Sequence, residues 1–300
     1  MTSVKITDLV KDYTLRSGLK RTRLRAVDHV SLELTPGRTV ALVGESGSGK
    51  STIAKILTRM ERPTAGTVDV RLDDGTPVTN AHYRREVQMV FQDPFASLNP
   101  FHSIEHHIAR PLKIHGRTKT QDDTRARVLE MLERVNLTPA EAIAPRRPHE
   151  LSGGQRQRVA IARALAPGAQ VLIADEPVSM LDVSIRLGVL NLLGRLQRED
   201  QLAVLYITHD LATARHFSDE IVVLYRGRVV ERGPSDAVIL DPHHDYTKLL
   251  ALAAPDPERP GRVTSEAPVD REAIDNSTCY DHFKGEWTEA GVPARSESKA

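Results

Sequence analysis

Residues 44–51 read Gly-Glu-Ser-Gly-Ser-Gly-Lys-Ser, which matches G-x-x-x-x-G-K-S/T, and no other stretch limits the fold of this chain as tightly. The pattern has mechanical content. Glycine at 44, 47 and 49 (Gly44, Gly47, Gly49) lets the backbone curl so that successive N–H groups converge on phosphate oxygens. The helix that begins there adds its positive end. Lys50 is placed to reach the terminal phosphates of a nucleotide and the Ser51 hydroxyl to bind Mg2+, while Ser46, Ser48 and Thr52 complete the polar lining. The context agrees: residues 38–43 form a short apolar strand before the loop, and residues 51–62 read as a helix after it. This is the strand–loop–helix unit of a nucleotide-binding α/β fold.

The alternation continues downstream. Residues 153–166 and 184–199 carry helix-period patterns, and residues 171–174 and 203–208 are nearly all-apolar strands. Such strands belong to a parallel sheet covered on both faces. Residues 4–13 and 26–34 alternate with period two and read as an antiparallel β subdomain, and residues 221–232 read as a closing hairpin turning at Arg226-Gly227. Between the halves of the core, residues 103–115 and 120–135 have helical periodicity, closed by Pro139 and Pro145, so a helical insertion is expected over about 95–165. The expected fold is therefore α/β: a P-loop NTPase core with a RecA-like parallel sheet, an antiparallel β subdomain and a helical insertion, filling residues 1–254. From residue 255 to 300 the composition shifts to Pro, Glu, Asp, Arg and Ser, and this segment is expected to be a tail, weakly ordered or ordered by a partner. Trp287 within it reads as an incidental aromatic before it reads as a docking contact.

Charge narrows the partners. With 41 basic and 40 acidic residues the formal net charge is +1, which gives no global attraction to nucleic acid or anionic lipid. The basic run at 15–25 reads as a solvated hairpin loop in preference to a phosphate-binding patch. Cys279 is the sole cysteine, which rules out an intramolecular disulfide framework and any cluster held by several cysteines of this chain. The opening residues alternate in polarity and read as a strand instead of a targeting segment. The apolar runs at 171–174 and 202–207 are too short to cross a bilayer, so a membrane connection would come through a partner. His102, His106 and His107 include a pair at i, i+4 that could hold a metal. Only Glu105 is at hand to complete such a site, and a solvated or interface-facing helix is the favoured reading.

Two further motifs carry chemistry. Val171-Leu-Ile-Ala-Asp-Glu176 puts two carboxylates at the C-terminal end of a buried strand, the edge where α/β sheets bind ligands. There Asp175 would hold Mg2+ and Glu176 would polarise the attacking water as general base. A helix cap is the competing reading of an Asp-Glu pair, and it loses weight beside a phosphate loop. Leu151-Ser-Gly-Gly-Gln-Arg-Gln-Arg158 opens a helix at Ser152, Gly153 and Gly154, a second anion-binding N-terminus. Two phosphate-binding ends with one pair of acids point to a head-to-tail pair of chains, each nucleotide held between one chain's loop and the other's helix.

In these motifs the sequence resembles the ABC transporter ATPases over about residues 1–254, with the Leu151–Arg158 stretch as their hallmark. The resemblance implies an ABC-type fold, ATP and Mg2+ as cofactors, and roles for further residues in fixed order. Gln92, in Val90-Phe-Gln-Asp93, would sense Mg2+ and the attacking water. Ser179-Met-Leu-Asp182 would cross the dimer interface, with Asp182 and Gln155 at the nucleotide. His209, in Ile207-Thr-His-Asp210, would contact the γ-phosphate, and Tyr13 would stack on adenine. Residues 91–100, 148–152, 179–184 and 243–250 look like the oligopeptide/dipeptide importer branch. That branch implies ATP hydrolysis coupled to solute uptake at the cytoplasmic face of the cell membrane. Its partners would be transmembrane permease subunits, an extracytoplasmic solute-binding protein, and a second ATPase, identical or a sister chain. No nucleic acid is implied. Some relatives hold an iron–sulfur cluster in the C-terminal region, and Cys279 alone cannot do so. Met180 in place of the usual Ala, and Arg186-Leu-Gly188, depart from the pattern without removing a reactive group. Rival readings are a soluble ABC ATPase acting on ribosomes or DNA, and a regulatory module that binds ATP without turnover. The single motor unit and near-neutral charge weigh against the first, and Glu176 with His209 against the second.

Overall fold

The computed structural model describes residues 1–18, 20–253, 274 and 276–290. Its centre is an eight-stranded sheet in the order β11-β10-β9-β8-β3-β7-β6-β5. The strands are β3 (Thr39–Val43), β5 (Val87–Val90), β6 (Val171–Asp175), β7 (Ala203–Thr208), β8 (Glu220–Tyr225), β9 (Arg228–Pro234), β10 (Thr278–Asp281) and β11 (Glu286–Glu289). From β5 to β8 the pairing is parallel; β9 returns antiparallel to β8. Every residue of β3, β6 and β7 is buried, as a doubly covered parallel sheet requires.

Because successive side chains point to opposite faces, each strand feeds two cores. Val204 and Tyr206 join one cluster with Val43, Ala174, Val223 and the helices α7 (Gly153–Leu165), α8 (Val183–Asp200) and α9 (Leu211–Phe217). Leu205 and Ile207 join the other with Leu42, Ile173, Leu224 and helix α1 (Lys50–Leu57). A three-stranded antiparallel sheet closes that second face, in the order β2 (Lys20–Leu34), β1 (Thr2–Ser17), β4 (Ala65–Leu72). Helix α2 (Asn80–Glu86) leads from it into β5.

The inserted helices are α3 (Pro94–Ser97), α4 (Ile104–Ile114), α5 (Gln121–Arg134) and α6 (Ala140–Ile143). Their boundaries follow from local chemistry. Ser103 caps α4 by accepting from the His106 N–H, and Thr120 caps α5 by accepting from the Asp123 N–H, with Asp122 and Asp123 in the first turn. Ile104, Ile108 and Leu112 bury one stripe of α4, and Val128 and Leu132 one stripe of α5. Helices α10 (Ser235–Leu240) and α11 (Asp245–Ala253) follow β9.

Two expectations need correction. The basic run at 15–25 is not a loop: β1 and β2 continue through it as a paired ladder from Asp12↔Arg25 to Ser17↔Lys20. Part of its charge is paired: Asp12 accepts from both Arg23 and Arg25, and Asp28 pairs with Arg25 and Arg228. The segment after residue 254 also contains order. Residues Thr278–Asp281 and Glu286–Glu289 form an antiparallel hairpin whose β10 runs parallel to β9, so Trp287 packs on this chain's own Tyr280, ring centroids 5.3 Å apart. Composition hid this because only short strands are involved and their partner, β9, lies far away in sequence. Cys279 is buried in β10, and burial pushes its thiol up to about 12. Residues 254–273, 275 and 291–300 lie outside those described.

Candidate functional site

The loop predicted to cradle phosphate leaves the C-terminal end of β3 and enters α1. Its shape demands glycine at two positions. A side chain on Gly44 would stand 2.2 Å from the Leu224 carbonyl oxygen, and one on Gly49, at φ +109°, would stand 2.3 Å from that of Ala26. The loop is tied to the β8–β9 turn, where the Gly227 N–H donates to the Ser48 carbonyl at 3.0 Å. Arg226 and Gly227 both have positive φ, the two-residue turn expected of that hairpin. Ser46, Gly47 and Ser51 are exposed at the rim, and Ser48, Gly49 and Lys50 are buried beneath it.

Lys50 folds its amine back into the loop, donating to the Gly44 carbonyl at 2.7 Å and the Glu45 carbonyl at 2.8 Å. Burial lowers its pKa below the ordinary lysine range, while the carboxylates of Glu176, Asp175 and Glu45 act the other way. A buried ammonium satisfied by the carbonyls of its own loop is a cation suited to a phosphate.

Asp175 ends β6 with its carboxylate 3.5 Å from the Ser51 hydroxyl. Burial raises its pKa; Glu176 adds to the rise, and Ser51 and Lys50 oppose it. Glu176 follows in the left-handed region at φ 45°, a conformation costly for a residue with a side chain. It is held there by its own N–H donating to the Ile207 carbonyl at 2.9 Å and by the Ser179 hydroxyl donating to its carbonyl at 3.0 Å. This backbone geometry turns the Glu176 carboxylate between two other predicted residues. Gln92 Nε2 donates to Oε2 at 2.9 Å, and His209 Nδ1 lies 3.2 Å from Oε1. Gln92 comes from the segment after β5 and His209 from the end of β7, so three strand ends converge on one carboxylate.

Tyr13 lies beside α1. Its phenol donates to Glu61 Oε2 at 2.5 Å, and Lys11 Nζ sits 5.0 Å from the ring centroid. Burial and Glu61 raise its pKa, and the nearby Thr52 hydroxyl pulls it the other way. Ser152, Gly153, Gly154 and Gln155 form a different locus. Ser152 caps α7 in a reciprocal capping box: its Oγ accepts from the Gln155 N–H at 3.3 Å, and Gln155 Oε1 accepts from the Ser152 N–H at 2.9 Å. A side chain on Gly154 would meet Ile185 Cγ2 at 2.6 Å. Among the described residues, no hydrogen bond or ion pair joins this helix end, or exposed Asp182, to the phosphate loop.

The donor set fits its expected occupants. Ser51, Asp175 and Gln92 offer hard oxygen ligands suited to Mg2+, and the curled loop with Lys50 offers N–H groups and a cation to phosphate. His102, His106 and His107 make no comparable set: among the described residues no group of three or more His, Cys, Asp or Glu could hold a metal. His102 and His106 stack on each other at 4.1 Å, and His107 Nε2 lies 3.0 Å from the Asn99 carbonyl oxygen. Sequence reasoning missed Tyr246, whose phenol oxygen accepts from the Glu45 N–H at 2.8 Å; nothing in its own segment announces that contact.

A phosphate loop, a strand-end acid pair and a separate serine–glycine helix end together define a nucleotide-binding cassette of the P-loop ATPase class. The ABC transporter family profile matches residues 27–179. The glutathione import ATP-binding protein GsiA of Escherichia coli (strain K12) is 47% identical over 270 residues, covering 87% of this chain and 43% of that protein. The protein of the same name from Shigella dysenteriae serotype 1 (strain Sd197) gives the same figures. The chain thus spans less than half the length of these curated relatives. The ATP-binding cassette MJ0796, solved as a dimer in a post-hydrolysis state bound to ADP and Pi, superposes with a TM-score of 0.65 at 33% identity. That match covers 77% of this chain and 98% of the cassette. The cbiO1 structure from Clostridium perfringens, part of the ABC transporter complex cbiONQ, gives 0.66 at 27% identity over 79% and 90%. This chain belongs to the ABC transporter family.

Proposed function

We propose that the chain is the ATP-hydrolysing motor subunit of an importer for a peptide-like solute (an oligopeptide, a dipeptide or glutathione). It works as a pair of cassettes beneath transmembrane permeases at the cytoplasmic face of the cell membrane, and receives solute indirectly from an extracytoplasmic binding protein. The observation that carries the motor reading is the convergence of Gln92 and His209 on the Glu176 carboxylate, beside Lys50, Ser51 and Asp175. The GsiA likeness supports the importer branch. No helix among the described residues is long and apolar enough to cross a membrane.

In this reading each residue has a definite task. Lys50 and the loop N–H groups would neutralise and orient the phosphates, and Ser51, Asp175 and Gln92 would hold the metal. Mg2+ held there would supply Lewis-acid polarisation of the phosphoryl oxygens. Glu176 accepts a proton from the attacking water, and His209 steadies the phosphate side. Tyr13 supplies the face for adenine. Ser152, Gly153, Gly154 and Gln155 serve the nucleotide of the paired cassette, which accounts for their separation from this chain's own loop. Asp182 lies in the contact between cassettes, where Met180, 53% exposed, and Val183, 79% exposed, await cover. The permease segment would enter the cavity of about 710 Å3 lined by Phe91, His102, His106, Arg110 and Ile114, next to Gln92.

The test is to recover the protein from membranes, identify what accompanies it, and measure ATP hydrolysis with and without those subunits. Permeases should co-purify and change the rate. An ATPase that arrives without membrane subunits and ignores them would overturn the transport reading.

A further inference from the structure

We propose that Tyr246 is a positioning residue for the phosphate loop, fixing the Glu45 peptide from the far end of the chain and so presetting the loop that receives ATP. The contact is specific. The phenol oxygen accepts from the Glu45 N–H at 2.8 Å across 201 residues of sequence, and Tyr246 is 2% exposed. Its ring packs on Tyr225 of β8 with centroids 4.3 Å apart, so the side chain is wedged between the sheet and the loop.

The Glu45 peptide is held on both sides. Its carbonyl accepts from Lys50 Nζ at 2.8 Å and from the Ser48 N–H at 3.2 Å, and its N–H is given to Tyr246. The lysine contact is conditional, because Lys50 has to turn its amine toward a phosphate when it works. Tyr246 makes no such turn. It therefore keeps the first residue after Gly44 in place while the amine leaves.

The support beneath Tyr246 is itself built. The Glu231 carboxylate on β9 is fully buried and accepts from the His243 N–H at 2.9 Å and the His244 N–H at 3.0 Å. His244 Nδ1 then accepts from the Tyr246 N–H at 3.1 Å, fixing the first turn of α11. His282 Nε2, in the turn of the terminal hairpin, reaches the same carboxylate at 2.7 Å, and His243 stacks on Tyr280 at 3.8 Å. The C-terminal hairpin thus braces the residue that holds the loop.

The inference rests on the reading that this loop holds ATP, and its test separates the two. Tyr246→Phe removes one oxygen and keeps the ring on Tyr225. Loss of a preset amide should raise the KM for ATP about five- to tenfold, with kcat at saturating ATP within about twofold. Hydrogen exchange at the Glu45 amide of the nucleotide-free full chain should be slow in the wild type and about tenfold faster in Y246F. An unchanged KM in Y246F overturns the proposal, whatever happens to its melting temperature. Should the variant not fold, the wild type decides alone: a Glu45 amide exchanging at the rate of a free amide overturns it, and a protected one upholds it. Wild-type protein that binds no ATP would defeat the ATP reading instead, a result distinct from either.

Discussion

Replacing Glu176 by glutamine isolates chemistry from structure, because the surroundings of the carboxylate accept an amide. Oε2 receives a hydrogen bond from Gln92 Nε2 at 2.9 Å, and Oε1 faces His209 Nδ1 at 3.2 Å. An amide can keep its oxygen toward Gln92 and offer its N–H to the imidazole, so both contacts survive and folding stability should change by less than about 1 kcal/mol. The substitution also removes one contributor to the raised pKa of Asp175, which eases the site electrostatically. What it cannot keep is proton acceptance. A positioned general base contributes about 10²- to 10⁴-fold, equivalent to ~2.7–5.4 kcal/mol of barrier. The assay is phosphate release at saturating Mg-ATP, paired with equilibrium binding of ATP and size-exclusion chromatography in its presence. Glu176→Gln should bind ATP within about threefold of wild type, hydrolyse it at least 100-fold more slowly by the same base arithmetic, and accumulate as a closed pair of cassettes. Turnover within about threefold of wild type would refute the assignment, since no other carboxylate in the cluster has its geometry.

Three further perturbations follow from the same structure. Gly49→Ala places a side chain at φ +109° against the Ala26 carbonyl, so a loss of about 3 kcal/mol or more and a fall in Tm on the order of 10 °C are expected; an unaltered thermal melt would contradict the loop geometry. Asp175→Asn should abolish Mg2+-dependent hydrolysis yet raise the Tm of the nucleotide-free protein at pH 7. Burial raises the Asp175 pKa in the folded state, so its contribution is fully present below the ordinary 3.8 and is lost as pH climbs through the folded value; the gain in D175N should shrink toward that pH, and a lower Tm at pH 7 would refute it. Glu231→Ala strips the acceptor from the buried His243 and His244 N–H groups and the partner from His282. A loss of about 3 kcal/mol and faster proteolysis of the terminal hairpin are expected, and a change below about 1 kcal/mol would show the carboxylate to be idle.

The residues visible in the sequence were those whose neighbours lie close along the chain. The glycines of residues 44–49 and the apolar runs feeding Asp175 and Thr208 announce strand ends, and strand ends of a parallel sheet share one edge, so Lys50, Asp175 and His209 were legible together. The helices at Ile104–Ile114 and Gln121–Arg134 were legible from Ser103, Thr120 and a stripe of period near four. What escaped was pairing at long range. Asp12 with Arg23 and Arg25 turns a basic run into a ladder, and β10 against β9 turns a polar tail into an edge of the main sheet. Neither has a periodic signal, because each depends on which distant backbone lies alongside. Tyr246 is the extreme case, a lone aromatic whose only notable atom meets an amide 201 residues away.

The position of Glu176 also bears on when the proposed motor can turn over. Each carboxylate oxygen already has one partner, Oε2 Gln92 and Oε1 His209, so an attacking water would share the carboxylate with both residues. Neither partner is rigidly placed: Gln92 is exposed, and the His209 side chain is 58% exposed. Gln92 stands directly before Asp93, whose carboxylate caps α3 by accepting from the Phe95 and Ala96 N–H groups. A shift of the inserted helices therefore pulls on the residue that occupies Oε2. His209 is tied to α9 in the same way, since the next residue, Asp210, caps that helix through the Ala212 and Thr213 N–H groups. In the proposed motor, movement of those helices would change how Gln92 and His209 hold the base. These hydrogen bonds are the route by which assembly of that motor would reach the base.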